Sequence, residues 1–121
     1  MRCLAERLAA TGSAGDRIAV LAWNCPEFIE LIYAVPAAGR ILVPLNARLA
    51  PAEIDWQLRH AGAHTLFADA GLLAGLKSCG NPDETIATIE LGESYREWLA
   101  AGPCAQPPTV QAKDPAWILY T

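Results

Sequence analysis

Apolar residues follow two different spacings along the chain, and the two spacings alternate. Within residues 1–10, Leu4 and Leu8 lie four positions apart with alanines beside them, which is the spacing of an amphipathic helix. Gly12 is a natural end for that helix. In the stretch DRIAVLAW, positions 18–23 are apolar on both alternating faces. That pattern predicts a strand covered by helices on both sides, as in a parallel sheet.

The stretch NCPEFIELIYAVPAAG predicts the second helix. Asn24 and Glu27 are three residues apart, which is the form of a capping box, and Pro26 is tolerated in a first turn. Pro36 lacks an amide donor, so we expect it to kink or end the helix about a turn before Gly39. The helix should therefore start at the NCPE stretch.

Strand and helix patterns continue to alternate after this helix. The stretches ILVPLN, HTLFAD and TIATIEL predict strands, and PAEIDWQLRHAG, AGLLAGLK and SYREWLAAG predict helices. The third helix begins at Pro51 with Ala50, a weak cap, before it. This order predicts an α/β fold, a doubly wound and mostly parallel sheet with helices on both faces. A Pro-rich connection, residues 102–113, then leads to DPAWILYT, which predicts a last strand ending at Thr121.

Size and composition limit the chain to one domain, residues 1–121. The chain is 53% hydrophobic and 18% charged, so either many elements are buried on both faces or part of the covering protein is missing. The net charge of −4 and the scattered Lys and Arg residues argue against nucleic-acid binding. Four tryptophans on four elements are expected in core and subdomain contacts: Trp23, Trp56, Trp98 and Trp117.

The N-terminal stretch MRCLAERLAATG does not have the form of a signal peptide, because Glu6 and Arg7 interrupt its apolar positions. The uncharged run 31–39 is too short to cross a bilayer. Four widely spaced cysteines form no Cys-x-x-Cys pair: Cys3, Cys25, Cys79 and Cys104. We expect reduced thiols in a cytoplasmic protein.

No residue has the pattern of a catalytic group or a metal ligand. His60 and His64 have the spacing of two helical ligands, but Gly62 lies between them at the predicted helix end. We expect a histidine at a helix C-terminus and another on a strand. The chain has no Gly-x-Ser-x-Gly motif, which argues against a hydrolase. The sequence alone predicts neither catalytic residues nor a metal site.

The collinear order of these stretches, ending in DPAWILYT, resembles the AMP-forming acyl-CoA synthetase family of adenylate-forming enzymes. The stretches NCPEF and PLNARL, the latter with Pro44, Asn46 and Arg48, are similar to family segments that read as structural. In the family, the strand ending in Tyr-Thr enters a Ser-Gly-Thr-Thr-Gly loop that binds the phosphates of ATP. The resemblance places Thr121 as the first hydroxyl of that loop. It implies that the chain is a partial domain, the N-terminal subdomain of the family's large domain.

The resemblance also implies a function for a parent enzyme. That enzyme would activate a fatty, aromatic or related carboxylic acid with ATP and Mg²⁺ and form a thioester with coenzyme A, as a ligase of fatty acid metabolism. The fragment alone is expected to be inactive and to bind none of these cofactors tightly. The remainder of the synthetase, or a second copy, would cover its apolar surface. The resemblance does not identify the acid or the acceptor thiol. Within the family, the parent could also be an adenylation domain of nonribosomal peptide synthesis or a luciferase-like enzyme. The alternative is a non-catalytic α/β binding or interaction module derived from this family.

Overall fold

A computed structural model describes residues 2–79 and 85–120 of the chain. The strands are β1 (Arg17–Leu21), β2 (Ile41–Pro44), β3 (Ala63–Ala68) and β4 (Ala87–Glu90). The helices are α1 (Arg2–Ala9), α2 (Pro26–Ala37), α3 (Pro51–His60), α4 (Ala70–Ser78) and α5 (Glu93–Ala101). Each corresponds to a predicted helix or strand, and no end differs from the prediction by more than two residues. Met1, included in the first predicted helix, lies outside the described residues.

The strands form one sheet in the order β2-β1-β3-β4, and all of the described pairings are parallel. Helices α2, α3 and α4 connect successive strands, because parallel neighbours need a crossover connection. Two buried clusters show that helices cover both faces: α1, α2 and α5 contribute to one, and α3 and α4 to the other. The predicted doubly wound α/β fold is confirmed.

Strand β1 is the centre of this arrangement. Alternate residues of β1 enter the two clusters: Ile18 and Val20 pack with α1 and α2, whereas Ala19 and Leu21 pack with α3 and α4. Phe67 of β3 is fully buried in the first cluster. The continuous apolar pattern of β1 therefore reflects burial on both faces, as the sequence predicted.

The start of α2 differs from the predicted capping box. The N-cap residue is Cys25, which makes no side-chain cap hydrogen bond, and Pro26 is the first helical residue. Cys25 is extended, with φ −153° and ψ 163°, because the residue before a proline is driven out of the helical region. Asn24 thus lies one position outside the helix and Glu27 is its second residue. The helix start was predicted correctly, but the capping box was wrong.

The end of α2 depends on Gly39 rather than on Pro36. The helix continues through Pro36 and ends at Ala37. The Arg40 amide donates to the Val35 carbonyl at 3.1 Å, and the Gly39 amide donates to the Pro36 carbonyl at 2.9 Å. This is a Schellman motif, whose left-handed position Gly39 occupies with φ +74°. The helix therefore ends two residues before Gly39, whereas an end about one turn before Gly39 was predicted.

A buried cation ties this turn to α1. The guanidinium of Arg40 donates to the carbonyls of Ala38 at 2.9 Å and Thr11 at 2.8 Å. It also lies 3.3 Å from the carbonyl of Ala9, at the C-terminus of α1, where a cation is favoured. Burial lowers the pKa of Arg40, and nearby Asp16 opposes that shift. Arg40 thus satisfies carbonyls that α1 leaves without helical partners.

The predicted last strand is only a single bridge. Residues 116–120, here called the edge segment, make one parallel bridge, between Trp117 and Leu42 of β2. Pro44 explains the limit. The amides of Ile41 and Leu45 face β1, so position 44 faces the edge segment, and proline has no amide hydrogen to donate there. The ladder cannot gain a donor beyond Leu42, and a full strand was the wrong prediction.

The tryptophans are less buried than predicted. Trp98 packs edge-on against Phe67, with 5.2 Å between the ring centroids. The guanidinium of Arg7 lies 4.4 Å from the centroid of the Trp98 ring. Three others are exposed: Trp23, Trp56 and Trp117. A core position is therefore wrong for these three. Their exposure arises because each lies at a strand end, on the outer side of a helix or on the sheet edge.

Candidate functional site at the carboxyl edge of the sheet

The carboxyl ends of parallel strands lie along one edge of the sheet, and this edge is the candidate site. Trp23 follows β1, Asn46 follows β2 and Asp69 follows β3. The edge segment runs parallel to β2, so its last residue, Tyr120, points toward the same edge. We call these four positions the carboxyl edge. In doubly wound folds, ligands bind beyond this edge of the sheet.

The polar side chains of the carboxyl edge are engaged in local structure. Asp69 Oδ1 accepts from the amides of Gly71 at 3.0 Å and Leu72 at 3.1 Å and so caps α4. Asn46 Oδ1 accepts from the amide of Arg48 at 3.0 Å, which closes the turn before α3. The structural interpretation of the PLNARL stretch fits these contacts. Neither side chain has the setting of a general base.

Cys25 lies just beyond β1, but its environment does not favour a reactive thiolate. Burial raises the pKa of the Cys25 thiol above its ordinary value. A raised pKa keeps the sulfur protonated near neutral pH and lowers its nucleophilicity. Among the described side chains, Cys25, Cys79 and Cys104 are free thiols, as predicted. The side chain of Cys3 lies outside the described ones.

The edge segment is fixed to β2 by backbone and to α3 by side chains. The Leu42 amide donates to the Ala116 carbonyl at 2.8 Å, and the Ile118 amide donates to the Leu42 carbonyl at 2.9 Å. Ile118 and Tyr120 are half-buried against the cluster that contains α3 and α4. Trp117 and Leu119, which alternate with them, are exposed. The edge segment is thus an extended stretch that pairs with β2 on one side, and it places Tyr120 at the carboxyl edge.

Three rings meet where the edge segment passes the end of α3. Trp56 and His60 are stacked, with centroids 4.7 Å apart and planes at 12°. Tyr120 lies edge-on to both, at 6.2 Å from Trp56 and 5.8 Å from His60. The Tyr120 hydroxyl is hydrogen-bonded to His60 Nδ1 at 2.8 Å. We call Trp56, His60 and Tyr120 the aromatic clamp.

Sequence reasoning did not find the aromatic clamp. The sequence predicts His60 at a helix C-terminus rather than as a metal ligand, and that position is confirmed because His60 is the last residue of α3. The available signal was the spacing of Trp56 and His60, four apart on one helix, which places two rings on the same face. Tyr120 could not be paired with them from sequence, because the contact spans 60 residues.

The remaining predicted site residues lie apart from the clamp. His64 is in β3, with Nδ1 4.0 Å from Asp16 Oδ1. In the described part of the chain, no group of three His, Cys, Asp or Glu residues could hold a metal ion. Thr121, the one residue predicted to touch ATP, lies outside the described residues. No helix among those the structure describes has the length and apolar character needed to cross a membrane.

A further cleft lies at the other end of the sheet. It has a volume of about 720 Å³ and is lined by α1, the end of α2 and residues 104–107. Because α2 runs back from the carboxyl edge, its last residue, Ala37, lies near the amino end of β2. The cleft therefore does not adjoin the carboxyl edge, where ligands of this fold class bind.

Comparison with known proteins gives a consistent family relationship. The family described as AMP-binding enzyme matches residues 1–121. The fatty acid–[acyl-carrier-protein] ligase ScoC of Streptomyces coeruleorubidus is 33% identical over 98% of this chain and 23% of its own length. The long-chain-fatty-acid–CoA ligase FadD13 of Mycobacterium tuberculosis is 32% identical over 99% of this chain and 25% of its own length. The chain thus spans about a quarter of the length of these relatives.

Solved structures agree with the fold. The N-terminal domain of FACL13 from Mycobacterium tuberculosis superimposes with a TM-score of 0.81 and 30% identity, covering 99% of this chain and 32% of that one. An anthranilate CoA ligase, AuaEII, reaches a TM-score of 0.85 at 21% identity, a likeness of fold alone. The sheet and its helices therefore have the architecture of an N-terminal subdomain of adenylate-forming enzymes.

Proposed function

Since the chain belongs to the family of AMP-binding enzymes, we propose that it is the N-terminal part of an ATP-dependent carboxylate–thiol ligase. The observation that carries this proposal is the path of the edge segment. It runs parallel to β2 and carries Tyr120 to the carboxyl edge, the part of a doubly wound sheet where ligands bind. The next residue, Thr121, is where the resemblance places the first hydroxyl of the phosphate loop.

The proposed reaction has two steps. A carboxylate oxygen attacks the α-phosphorus of ATP, the bond between the α- and β-phosphates breaks, and acyl-adenylate and pyrophosphate form. A thiolate then attacks the acyl carbon, and AMP leaves as the thioester forms. Such in-line displacement requires amides, cations and Mg²⁺ around the developing phosphate charge.

The described residues do not form a site for ATP and Mg²⁺. The carboxylate at the carboxyl edge, Asp69, already accepts from two amides of α4. No Gly-rich loop follows a strand within residues 2–79 and 85–120. The part of the chain described here has the role of a scaffold that delivers the backbone to the nucleotide, and the chain alone is inactive.

The names of the relatives do not narrow the choice of acid substrate or of acceptor thiol. Their names include a fatty acid–[acyl-carrier-protein] ligase, a 4-hydroxybutyrate–CoA ligase and a feruloyl-CoA synthase. A fatty or related carboxylic acid and coenzyme A are the substrates that we propose for the parent, as a cytoplasmic enzyme of fatty acid metabolism.

The exposed apolar side chains favour a cover supplied by further protein. Ile29 and Tyr33 lie four residues apart on α2 and are 58% and 68% exposed, and Leu119 of the edge segment is 63% exposed. We propose that the remainder of the synthetase covers such positions. A stable homo-oligomer of the 121-residue chain with cooperative unfolding, measured by sedimentation and denaturation, would instead support a free-standing interaction module.

The function is tested by pyrophosphate release from ATP in the presence of carboxylic acids of several chain lengths. The 121-residue chain should release none, and the protein extended by its downstream coding sequence should release pyrophosphate only when an acid is added. Release by the short chain contradicts the scaffold role. Failure of the extended protein with every acid contradicts the ligase proposal.

A further inference from the structure

The backbone holds the edge segment only up to Ile118. Leu42 provides both hydrogen bonds of the ladder, to Ala116 and Ile118. The next outward position of β2 is Pro44, which cannot donate. The backbone at Leu119 and Tyr120 thus extends beyond the last donor that β2 offers. Among the described residues, Leu119 and Tyr120 make no backbone hydrogen bond to β2, so the contacts that fix the direction of the chain at residue 120 come from side chains.

The Tyr120 side chain supplies three contacts to a regular helix. Its hydroxyl meets His60 Nδ1 at 2.8 Å, and its ring is edge-on to the rings of His60 and Trp56. Edge-to-face geometry is preferred for aromatic pairs, and the stacked His60 and Trp56 rings support one another. A hydrogen bond and two ring contacts restrict both the position and the orientation of Tyr120.

Both partners of Tyr120 lie on one rigid element. Trp56 and His60 are one turn apart on α3, which is anchored in the core by Ile54 and Leu58. Groups on a regular helix hold their position better than groups on a loop. The contact spans 60 residues, so it ties the exit of the edge segment to an element formed far earlier in the chain.

We propose that His60 and Trp56 are positioning residues that hold Tyr120 against α3 and thereby fix the path along which the chain leaves the carboxyl edge. This inference rests on the proposed function, because only in such a ligase does the chain after Tyr120 lead to phosphate-binding residues. A misplacement of about 1 Å in such residues can lower a reaction rate by roughly a hundredfold. The aromatic clamp would therefore affect ATP use without contacting ATP.

The first test uses the 121-residue chain and needs no activity. In the variant Tyr120→Phe the hydrogen bond is lost but the ring stays. We expect the Ile118 amide to exchange with solvent about fivefold faster, the factor that corresponds to one ordinary hydrogen bond. The matched control is Tyr33→Phe, which changes an exposed tyrosine on α2 and should leave Ile118 unchanged. An unchanged Ile118 exchange rate in Tyr120→Phe overturns the proposal.

A pair of His60 variants separates hydrogen bonding from bulk. His60→Asn keeps a polar atom close to the position of Nδ1, whereas His60→Leu keeps bulk without a partner for the hydroxyl. We expect Ile118 exchange to be faster in His60→Leu than in His60→Asn, and the exchange of β1 amides to be equal in both. Equal Ile118 rates in the two variants contradict a role for the hydrogen bond.

The second test uses the protein extended past Thr121. Tyr120→Phe should raise KM for ATP or lower kcat by roughly tenfold while KM for the acid stays the same. Unchanged ATP kinetics together with faster Ile118 exchange would overturn the positioning role. If the wild-type extended protein is inactive, the ligase proposal fails and so does the effect on ATP. The contact between Tyr120 and His60 is then judged by the exchange rates alone.

Discussion

Strand β1 and the edge segment have nearly the same kind of sequence and very different structures. RIAVL in β1 and AWILY at 116–120 are both short, apolar and rich in β-branched or aromatic residues. β1 lies between β2 and β3, and four of its five residues are buried. The edge segment has β2 on one side and makes a single bridge. Its residues alternate between half-buried and exposed.

The difference shows that an apolar run gives only the capacity to form a strand. Whether a strand forms depends on donors presented by the neighbour and on cover over each face. β1 has both. The edge segment meets Pro44 where a donor is needed, and Trp117 and Leu119 are 44% and 63% exposed.

The largest expected effect compares two leucines of these regions. Leu21→Ala removes a fully buried side chain of β1 and should lower the free energy of unfolding by about 2–5 kcal/mol, because it leaves a cavity. Leu119→Ala removes an exposed side chain and should change it by less than about 0.5 kcal/mol. Urea denaturation of both variants measures the difference. Equal losses would mean that the edge segment is as well packed as β1.

The next effect concerns how the connection before the edge segment is held. A β-carbon on Gly39 would lie 2.6 Å from Pro108 Cγ, and φ is +74°. Gly39→Ala should therefore cost about 2 kcal/mol of unfolding free energy, from backbone strain and this contact. Gly75→Ala, in α4 with open space around it, should be neutral or stabilising by about 0.5–1 kcal/mol. Thermal unfolding of the two variants tests the contrast, and a tolerated Gly39→Ala would contradict it.

A smaller effect concerns the pH dependence of stability, compared between the wild type and a variant of the core tyrosine Tyr95. Burial, aided by the hydrogen bond of the Tyr95 hydroxyl to Glu30 Oε2 at 2.8 Å, raises the pKa of Tyr95. The unfolded chain loses this proton near pH ~10, whereas the folded chain keeps it. The contribution of Tyr95 to the free energy of unfolding is therefore complete below that pH and falls above it, by about 1.4 kcal/mol near pH ~11. Tyr95→Phe should lack this part of the decline in denaturation measured at both pH values, and parallel curves would contradict the assignment.

The smallest effect tests why the edge ladder stops. Pro44→Ala supplies an amide that faces the edge segment, whereas Pro115→Ala supplies one that, by alternation, faces away from β2. Both lose the rigidity of proline in the unfolded chain, so their difference isolates one added hydrogen bond of about 1 kcal/mol in favour of Pro44→Ala. Amide exchange at residue 44 is the direct measurement. An unprotected amide there would show that cover, rather than the missing donor, ends the ladder.

The sequence predicted the fold well because its signals were local. Alternating spacings placed all nine described helices and strands, and Pro26 and Pro51 marked two helix starts. The capping box failed by one residue because Pro26 forces Cys25 into the extended cap position. The core position failed for three of the four tryptophans, because residue type does not reveal whether a large ring faces the core or another part of the protein.

The site was less predictable because it depends on distant contacts. Parallel pairing of the edge segment with β2 joins residues 75 apart, from Leu42 to Trp117, and the aromatic clamp joins His60 to Tyr120. No periodicity reports such pairs. Only the resemblance at Tyr120 and Thr121 pointed to the carboxyl edge, and it implied a phosphate loop without indicating how its approach is held.

The most direct test of the central claim is to read the coding sequence immediately after the codon for Thr121. We expect it to continue in frame as Ser-Gly-Thr-Thr-Gly followed by Pro-Lys-Gly, so that the edge segment delivers a phosphate-binding loop to the carboxyl edge. A stop codon at that point, with no such loop, would contradict the ligase proposal and leave a non-catalytic module of this fold.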